Sequence, residues 1–288
     1  MQEIRRIKRK DLDVEKYTKA LGASLNYRIY AEAWYLDVLT HQKWECWVYG
    51  DYEVIMPVPL QLKFGFKFVL QPAFCQQLGV FYKKIISREL FRQFEEKLHR
   101  YRVRSYHFNE ENTEAFEPKG EKRTNYILDL NRTYEEIQKG YRKDKHKNIK
   151  RGLELGLDVE TYFDYGFYKN LMDEFYPNVN PFHYELFQTL RDKESLLQLN
   201  LKWEDTFHNC RYFILSKNRI IVISSARNKG KKVDFSSFLI DSIIRRFAGQ
   251  NLLLDFEGSM LKGVADFNAG FGAHPSNYTV YSNNFFKL

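Results

Sequence analysis

Apolar runs separated by turn-forming residues dominate the first third of the chain. Residues 29–40 place apolar side chains at helical spacing and predict a helix. Two apolar runs follow in WECWVYGDYEVIMPVPL, and Gly50 and Asp51 between them predict a β-hairpin. Beyond the extended region FKFVLQPAFCQQLGVFY, RELFRQFEEKLHRY has the apolar face of a second helix. Residues 104–108 and 124–130 then predict two strands.

The last third of the chain has the same order of elements. A hairpin is predicted by CRYFILSKNRIIVISSAR, with its turn at Asn218, and a helix over 236–248 ends before Gly249. The strands NLLLDF and NYTVYS complete the series. The sequence therefore predicts two similar α/β (α+β) halves, 1–130 and 131–288, each a mixed, mostly antiparallel sheet flanked by helices.

A basic amphipathic segment, RTYEEIQKGYRKDKHKNIKRGLELGL, connects the halves. Thr133 and Glu136 form a capping box, and Gly156 is a C-terminal stop, so a single helix is predicted. At 100° per residue one face is apolar: Tyr134, Ile137, Tyr141, Ile149 and Leu153. The opposite face is basic: Lys139, Lys143, His146, Lys147 and Lys150. Such a face is either solvated or binds an anion.

Lys145 differs from these lysines because it falls within the apolar stripe, four residues from both Tyr141 and Ile149. It is predicted to face the interior or a cleft, where it is a candidate substrate-binding residue. The alternative is a side chain whose ammonium escapes to solvent along the apolar surface.

Composition places the chain among folded proteins with a basic surface. With 44% hydrophobic and 17% aromatic residues, the chain has enough apolar side chains for a core. The net charge of +8 suits anionic partners such as phosphorylated cofactors or RNA, or is ordinary surface charge. Three scattered cysteines and a charged N-terminal stretch favour a reducing cytoplasm, with no secretion and no membrane insertion.

The clearest phosphate-binding signal follows the strand IIVISSAR. Arg227, Asn228, Gly230 and Lys231 lead to Ser236 at the start of the predicted helix. A basic loop that enters a helix N-terminus offers backbone N–H groups and a positive dipole end to a pyrophosphate. An ordinary charged turn is the alternative. No P-loop, GxSxG, HExxH or GxGxxG motif occurs, and no metal site is expected.

Two carboxylates end the strand NLLLDF. Asp255 and Glu257 could deprotonate an amine, or could equally pair with an arginine as structural groups. Tyr278 lies in the final strand. His183 and Tyr184 are a polar pair in the aromatic segment NPFHYELF. His183 is either a structural histidine or, together with Tyr184, part of a cleft that binds substrate.

These motifs carry a family resemblance. KHKNIKRGLELGL, together with DFEGS, GVADFNAGFGA and the Asn-Tyr of the last strand, is similar to Fem-type peptidoglycan aminoacyltransferases and to the broader Fem-like GNAT acyltransferases. The likeness covers about half the chain at motif level. This chain has Gly152 where the family pattern has alanine, and Arg227, Gly230 and Lys232 where GNAT loops favour R-x-x-G-x-G or R-x-x-G-x-A.

The resemblance implies direct acyl transfer from a donor to an amine. By this resemblance, the phosphates of an acyl-CoA are held by Arg227, Asn228, Gly230, Lys231 and Ser236. The C-terminal half, 131–288, then carries the donor and catalytic site. Glu257 or Asp255 accepts the proton, and Tyr278 donates to the leaving group.

The N-terminal half is expected to form the acceptor side, and Lys145, His183 and Tyr184 are expected to bind a small-molecule or cell-wall-precursor amine. Three function classes stay open: an acyl-CoA N-acyltransferase, an aminoacyl-tRNA-dependent transferase, and a binding module without catalysis. The second class is less favoured because no segment predicts the helical arm that many Fem ligases use for tRNA.

Overall fold

A computed structural model describes residues 3–63, 65–175, 182–204, 206–227, 235–258 and 260–283. The chain forms two compact units, Met1–Arg123 with Asn277–Leu288, and Thr124–Ser276. Their limits differ from the predicted halves, because residues 124–130 join the second unit and the chain end joins the first. Among the described residues, no helix combines the length and apolarity needed to cross a bilayer.

The first 130 residues contain seven strands and four helices in their described part. The strands are β1 (Arg5–Lys8), β2 (Trp44–Tyr49), β3 (Val54–Lys63), β4 (Phe66–Leu70), β5 (Phe81–Tyr82), β6 (Arg102–Phe108) and β7 (Glu121–Asp129). The helices are α1 (Val14–Gly22), α2 (Ala33–Thr40), α3 (Arg88–His99) and α4 (Glu110–Phe116). The predicted elements are therefore present in this region.

The remaining described chain adds six helices and six strands. The helices are α5 (Tyr134–Gln138), α6 (Lys143–Glu154), α7 (Tyr165–Phe175), α8 (Phe182–Asp192), α9 (Ser236–Phe247) and α10 (Lys262–Ala269). The strands are β8 (Asp158–Thr161), β9 (Leu196–Trp203), β10 (Thr206–Leu215), β11 (Arg219–Arg227), β12 (Leu253–Asp255) and β13 (His274–Tyr281).

Each unit has a mixed sheet with one parallel pair among the described strands. In the first unit the order is β1-β2-β3-β4-β6-β13, with β4 parallel to β6. In the second the order is β7-β12-β11-β10-β9-β8, with β11 parallel to β12. The chain between the two strands of each parallel pair includes a helix, because a short hairpin turn joins only antiparallel strands. The predicted fold class, mostly antiparallel sheets flanked by helices, is confirmed.

Local sequence signals explain how these elements form. Gly50 adopts a φ of 63° in the turn between β2 and β3, a conformation that costs glycine little. The Ser87 hydroxyl accepts a hydrogen bond from the Leu90 N–H at 3.2 Å and caps α3. Phe91, Phe94 and Leu98 of α3 are fully buried, and burying each such side chain stabilises the fold by about 1.5–3 kcal/mol.

The connecting segment forms two helices, so the prediction of one continuous helix is wrong. The capping box of Thr133 and Glu136 is present at the start of α5. The chain then breaks at 139–142, where Gly140 lowers helix propensity and the Arg142 N–H donates to the Gly270 carbonyl at 2.9 Å. Gly156, with a φ of 62°, follows the end of α6 as predicted.

The break changes which side chains α6 buries. Leu153 was predicted in the apolar stripe but is 58% exposed, because the second helix does not continue the rotation of the first. Lys145, Ile149 and Gly152 form the buried face of α6. Lys145 is 3% exposed, so its predicted inward position is confirmed.

Candidate functional site

A cavity opens in the second unit where two parallel strands separate. β11 pairs with β12 over only three residues, from Arg219 opposite Leu253 to Ile221 opposite Asp255. β11 then continues to Arg227, while β12 ends at Asp255. The resulting space is a cavity of about 530 Å³. The described residues of its wall are Arg211, Val222, Ile223, Ser224, Ser225, Ser236, Phe256, Glu257, Gly258, Gly263, Val264, Phe267 and Asn268.

A β-bulge lies in the strand that forms one wall of this cavity. Tyr212 of β10 lies opposite Ser224, and the next residue, Phe213, lies opposite Val222. Ile223 is therefore an extra residue on β11. Bulges bend a strand and redirect its backbone groups, and they are common beside active sites.

Glu257 is held on the cavity wall by its backbone. Its φ of 50° lies in the left-handed region, which costs a non-glycine residue free energy. The Glu257 N–H donates to Asp255 Oδ1 at 2.9 Å, and the Phe256 N–H donates to the Tyr126 carbonyl at 3.0 Å. A side chain on Gly258 would lie 2.2 Å from the Thr124 carbonyl oxygen. The turn that presents Glu257 is thus fixed from both sides.

Asp255 supports this turn from the interior. Its carboxylate is 1% exposed and pairs with Arg219 at 2.8 Å, while the Asn125 side-chain amide donates to it at 2.9 Å. Asp255 is not among the residues that line the cavity. These contacts favour a positioning role for Asp255, and they leave Glu257 as the carboxylate on the cavity wall.

Two cations lie against one aromatic side chain of the cavity wall. The Lys145 ammonium lies 3.8 Å from the centre of the Phe267 ring, and the Arg211 guanidinium lies 5.4 Å from it. A side chain on Gly270 would approach Lys145 Cε to 2.6 Å, so glycine gives the lysine its space. Arg211 lines the cavity, whereas Lys145 is not among the described residues that line it. Cation–π contacts of this kind orient the ring and stabilise the charges.

The predicted phosphate loop is described only at its two ends. Arg227 is the last residue of β11, and Asn228, Gly230 and Lys231 lie outside the described residues. Ser236 begins α9 and lines the cavity, where its hydroxyl accepts a hydrogen bond from Asn209 at 3.3 Å. Ser236 therefore lies at the cavity, and phosphate binding by the loop stays a prediction.

Two other predicted site residues, Tyr184 and Tyr278, are not among the described residues of the cavity wall. His183 lies in α8, and its side chain is outside the description. Tyr184 donates a hydrogen bond to Asp173, and burial together with this carboxylate raises the pKa of Tyr184 to about 12. Tyr278 belongs to the first unit, where its ring centre lies 5.7 Å from that of His107.

Several wall residues escaped the sequence analysis. Arg211, Ser224 and Asn268 contribute polar groups from three different elements. Asn268 is 4% exposed, and its side-chain nitrogen has no hydrogen-bond partner among the described residues. Of these three, only Arg211 stands out in the sequence, because it is a charged residue in the otherwise apolar run CRYFIL. Within the described ranges, no group of three or more His, Cys, Asp or Glu side chains is arranged to hold a metal ion.

Solved structures share this architecture over nearly the whole chain. FemX superimposes with a TM-score of 0.68 at 9% identity and covers 98% of both chains. L-PGS from Bacillus licheniformis gives 0.58 at 13% identity, covering 96% of this chain and 93% of the other. A tandem GNAT protein from the clavulanic acid biosynthesis pathway gives 0.53 at 13% identity, covering 97% and 98%.

The chain therefore has the fold of Fem-like and tandem GNAT proteins, and the resemblance predicted from its motifs is confirmed at the level of the fold. No family model and no curated protein matches the sequence.

Proposed function

We propose that the protein is an acyltransferase that transfers an acyl group to an amine bound in the cavity of the second unit. The observation that carries this proposal is the Glu257 carboxylate, fixed on the wall of a cavity that opens where β11 and β12 separate. The shared fold supports the reaction class by analogy.

The proposed reaction needs an unprotonated amine. Glu257 accepts a proton from the bound ammonium, directly or through one water molecule. The amine nitrogen then attacks the donor carbonyl carbon and forms the new C–N bond. Backbone N–H groups near the bulge at Ile223 stabilise the oxyanion that develops on the carbonyl oxygen. The bond to the donor sulfur or oxygen then breaks. The attacking nitrogen gives up its second proton, and the leaving group takes up one proton. Tyr278 as the donor of the proton to the leaving group stays a prediction.

An acyl-CoA is the proposed donor. Beyond Ile221, β11 does not pair with β12, so an extended ligand with amide groups can hydrogen-bond there as an added strand would. In this proposal Arg227, Gly230 and Lys231 bind the phosphates together with the N-terminus of α9 at Ser236. The reacting amine binds at Glu257 in this proposal. Lys145, His183 and Tyr184 are not among the described residues of the cavity wall, so they stay proposed contacts for the rest of the acceptor, a small molecule or a cell-wall precursor.

An aminoacyl-tRNA donor is the second candidate. The observation in its favour is the exposed basic face of α6, which includes Lys143, His146, Lys147 and Lys150. Fem-type enzymes use such donors, and FemX shares the fold of this chain. Binding through these side chains predicts an affinity that falls steeply with salt concentration.

Thermal unfolding with acetyl-CoA, a long-chain acyl-CoA and bulk aminoacyl-tRNA tests the proposal. A ligand at 100 times its dissociation constant stabilises the folded state by about 2.7 kcal/mol, so the melting temperature rises. We expect a shift with acyl-CoA that Val264→Trp abolishes, because Val264 lines the cavity and is 42% exposed. The matched control is Val14→Trp in α1, where Val14 is 38% exposed.

The other outcomes are distinct. A salt-sensitive shift with aminoacyl-tRNA alone favours the second candidate. No shift with any of the three ligands contradicts both and favours a binding module that has kept the fold. An acyl-CoA shift that Val264→Trp leaves unchanged places the donor outside this cavity and contradicts the proposed site.

A further inference from the structure

A second cavity lies in the first unit and has a strongly cationic wall. It has a volume of about 350 Å³ and is formed by β1, the 3₁₀ turn Arg9–Asp11 and the ends of β2, β3 and β4 nearest to them. Of the twelve described residues that line it, six are cationic: Arg6, Lys8, Arg9, Lys10, Lys43 and Lys67. Glu45 is the carboxylate among them.

The two arginines are neutralised within the protein. Arg6 pairs with Glu45 at 2.6 Å, and the Glu45 side chain is 1% exposed. Arg9 makes two hydrogen bonds to Asp37, at 2.8 and 2.7 Å. These pairs build the wall of the cavity, and their charge is not available to a partner.

The four lysines of the cavity have no carboxylate partner in the described part of the chain. Lys8, Lys10, Lys43 and Lys67 are all exposed, and none of the ion pairs of the described residues includes them. Backbone pairing brings them to one region, since Lys67 lies opposite Leu62 and the Lys43 carbonyl accepts the Leu60 N–H at 2.8 Å. Like charges around a concave surface raise the local potential and attract anions.

Apolar side chains lie beside these lysines. Leu62 lines the cavity and is 63% exposed, and Phe66, on the next strand, is 49% exposed. The Arg102 guanidinium covers the Phe66 ring at 4.3 Å. Exposed large apolar residues within a basic region are typical of surfaces that enter the boundary between phospholipid headgroups and acyl chains. A nucleic acid backbone offers the anionic charge but no apolar layer for Leu62.

We propose that this face of the first unit binds the surface of a membrane that contains anionic phospholipid. Lys8, Lys10, Lys43 and Lys67 bind headgroup phosphates at the cavity, and Leu62 and Phe66 enter the headgroup–acyl boundary. The proposal is independent of acyl transfer, because the cavity of the second unit and this cavity share none of their described lining residues.

Co-sedimentation of the full chain with vesicles of phosphatidylcholine, with and without phosphatidylglycerol, tests it. We expect binding only to the anionic vesicles. The variant Lys10→Ala/Lys43→Ala/Lys67→Ala is expected to lower the partition coefficient about 100-fold, from the attraction of basic residues to anionic lipid. The control Lys143→Ala/Lys147→Ala/Lys150→Ala removes the same charge from α6 and is expected to keep most of the binding.

A second variant tests the apolar contribution. Leu62→Ser/Phe66→Ser leaves every charge in place and is expected to weaken vesicle binding while its salt dependence persists. Equal binding to neutral and anionic vesicles would overturn the proposal, as would equal loss in the two lysine variants. Salt-sensitive binding to bulk tRNA that requires Lys10, Lys43 and Lys67, without vesicle binding, would assign the surface to RNA and also overturn it.

Discussion

Glu257 has a left-handed backbone conformation on the wall of the cavity in the second unit. Its left-handed φ of 50° costs an L-residue about 1 kcal/mol or more, yet Asp255 and the close packing of Gly258 hold it there. A strained residue that its surroundings hold in place, on the wall of a cavity, is a candidate for function. Substitutions of Glu257 can therefore affect turnover through the lost carboxylate and stability through the backbone strain, and these two effects can be measured separately.

Glu257→Gln is expected to lower kcat about 100- to 10,000-fold with little change in the melting temperature, because the amide fills the same space but accepts no proton. Glu257→Gly is expected to lose the same activity and to stabilise the fold by up to about 1 kcal/mol, since glycine adopts the left-handed conformation without strain. Steady-state kinetics and urea denaturation of both variants measure these effects. Full turnover by Glu257→Gln would remove Glu257 from its proposed role.

His107 is a neutral histidine inside the first unit. Its Nδ1–H donates to the Gln76 carbonyl at 2.7 Å, and its Nε2 lies 2.8 Å from the Ser105 hydroxyl, which donates to it. Burial lowers the pKa of His107 to about 4, because the charged ring loses its hydration.

Protonation of His107 makes stability depend on pH. Between pH 6.5 and about 4 the unfolded chain binds a proton at this ring that the folded chain does not, so the free energy of unfolding falls as pH falls. The loss over this window is about 2–3 kcal/mol. Urea denaturation across it is expected to show a shallower slope for His107→Gln than for the natural chain. Parallel pH profiles for the two proteins would contradict this.

At the scale of elements, α6 packs closely on α9 through a glycine. A Cβ at Gly152 would lie 2.4 Å from Phe238 Cδ2 and 3.0 Å from Leu157 Cδ1. Both partners belong to the buried or partly buried core of the second unit. Gly152 thus sets the distance between two helices, although glycine is a poor helix former.

Gly152→Ala is expected to destabilise the protein by about 1–3 kcal/mol, because the added methyl group overpacks the contact. Gly22→Ala in α1 is the matched control, since a Cβ there has no atom within 4 Å. It is expected to be neutral or stabilising by up to about 1 kcal/mol from helix propensity alone. Midpoints of urea denaturation compare the two, and changes of the same sign in both variants would contradict the close packing.

The connecting segment shows how far element prediction extends. Its capping box and its terminal glycine depend on residues a few positions apart, and both are present as predicted. The break at Gly140 involves the hydrogen bond from Arg142 to Gly270, a residue far along the chain. The assignment of helix faces at 100° per residue takes no account of such a bond. It therefore placed Leu153 on the apolar, buried face, although this side chain is exposed.

At the scale of the whole molecule, the first unit is completed by the end of the chain. β13 pairs with β6 from Thr279 opposite Phe108 to Tyr281 opposite Tyr106. The side chain of Asn283 accepts the Val103 N–H at 2.7 Å and donates to the His99 and Tyr101 carbonyls at 3.2 and 2.6 Å. Residues near the end of the sequence therefore fix the position of β6, which lies more than 170 residues earlier in the chain.

Removal of residues 277–288 is expected to destabilise the first unit selectively. Amides of β6 and α4 should lose protection against hydrogen exchange, while those of β9, β10 and α9 keep most of theirs, because these elements pack within the second unit. Asn283→Ala is a milder version and is expected to cost about 1–3 kcal/mol by leaving its partners unpaired. Unchanged protection in β6 would contradict this account.

The sequence by itself determined the hairpins, the capped helices, the mixed α/β class and a carboxylate after a strand, since each depends on residues close together in the chain. Only the tertiary structure showed that the two carboxylates have different surroundings. Asp255 meets Arg219 and Asn125, which lie 36 and 130 positions away, and Glu257 faces the cavity. The tertiary structure also brings Arg211, Ser224 and Asn268 to the wall of this cavity. Local patterns encode periodicity and capping, whereas a cavity depends on distances between segments that only the folded core brings together.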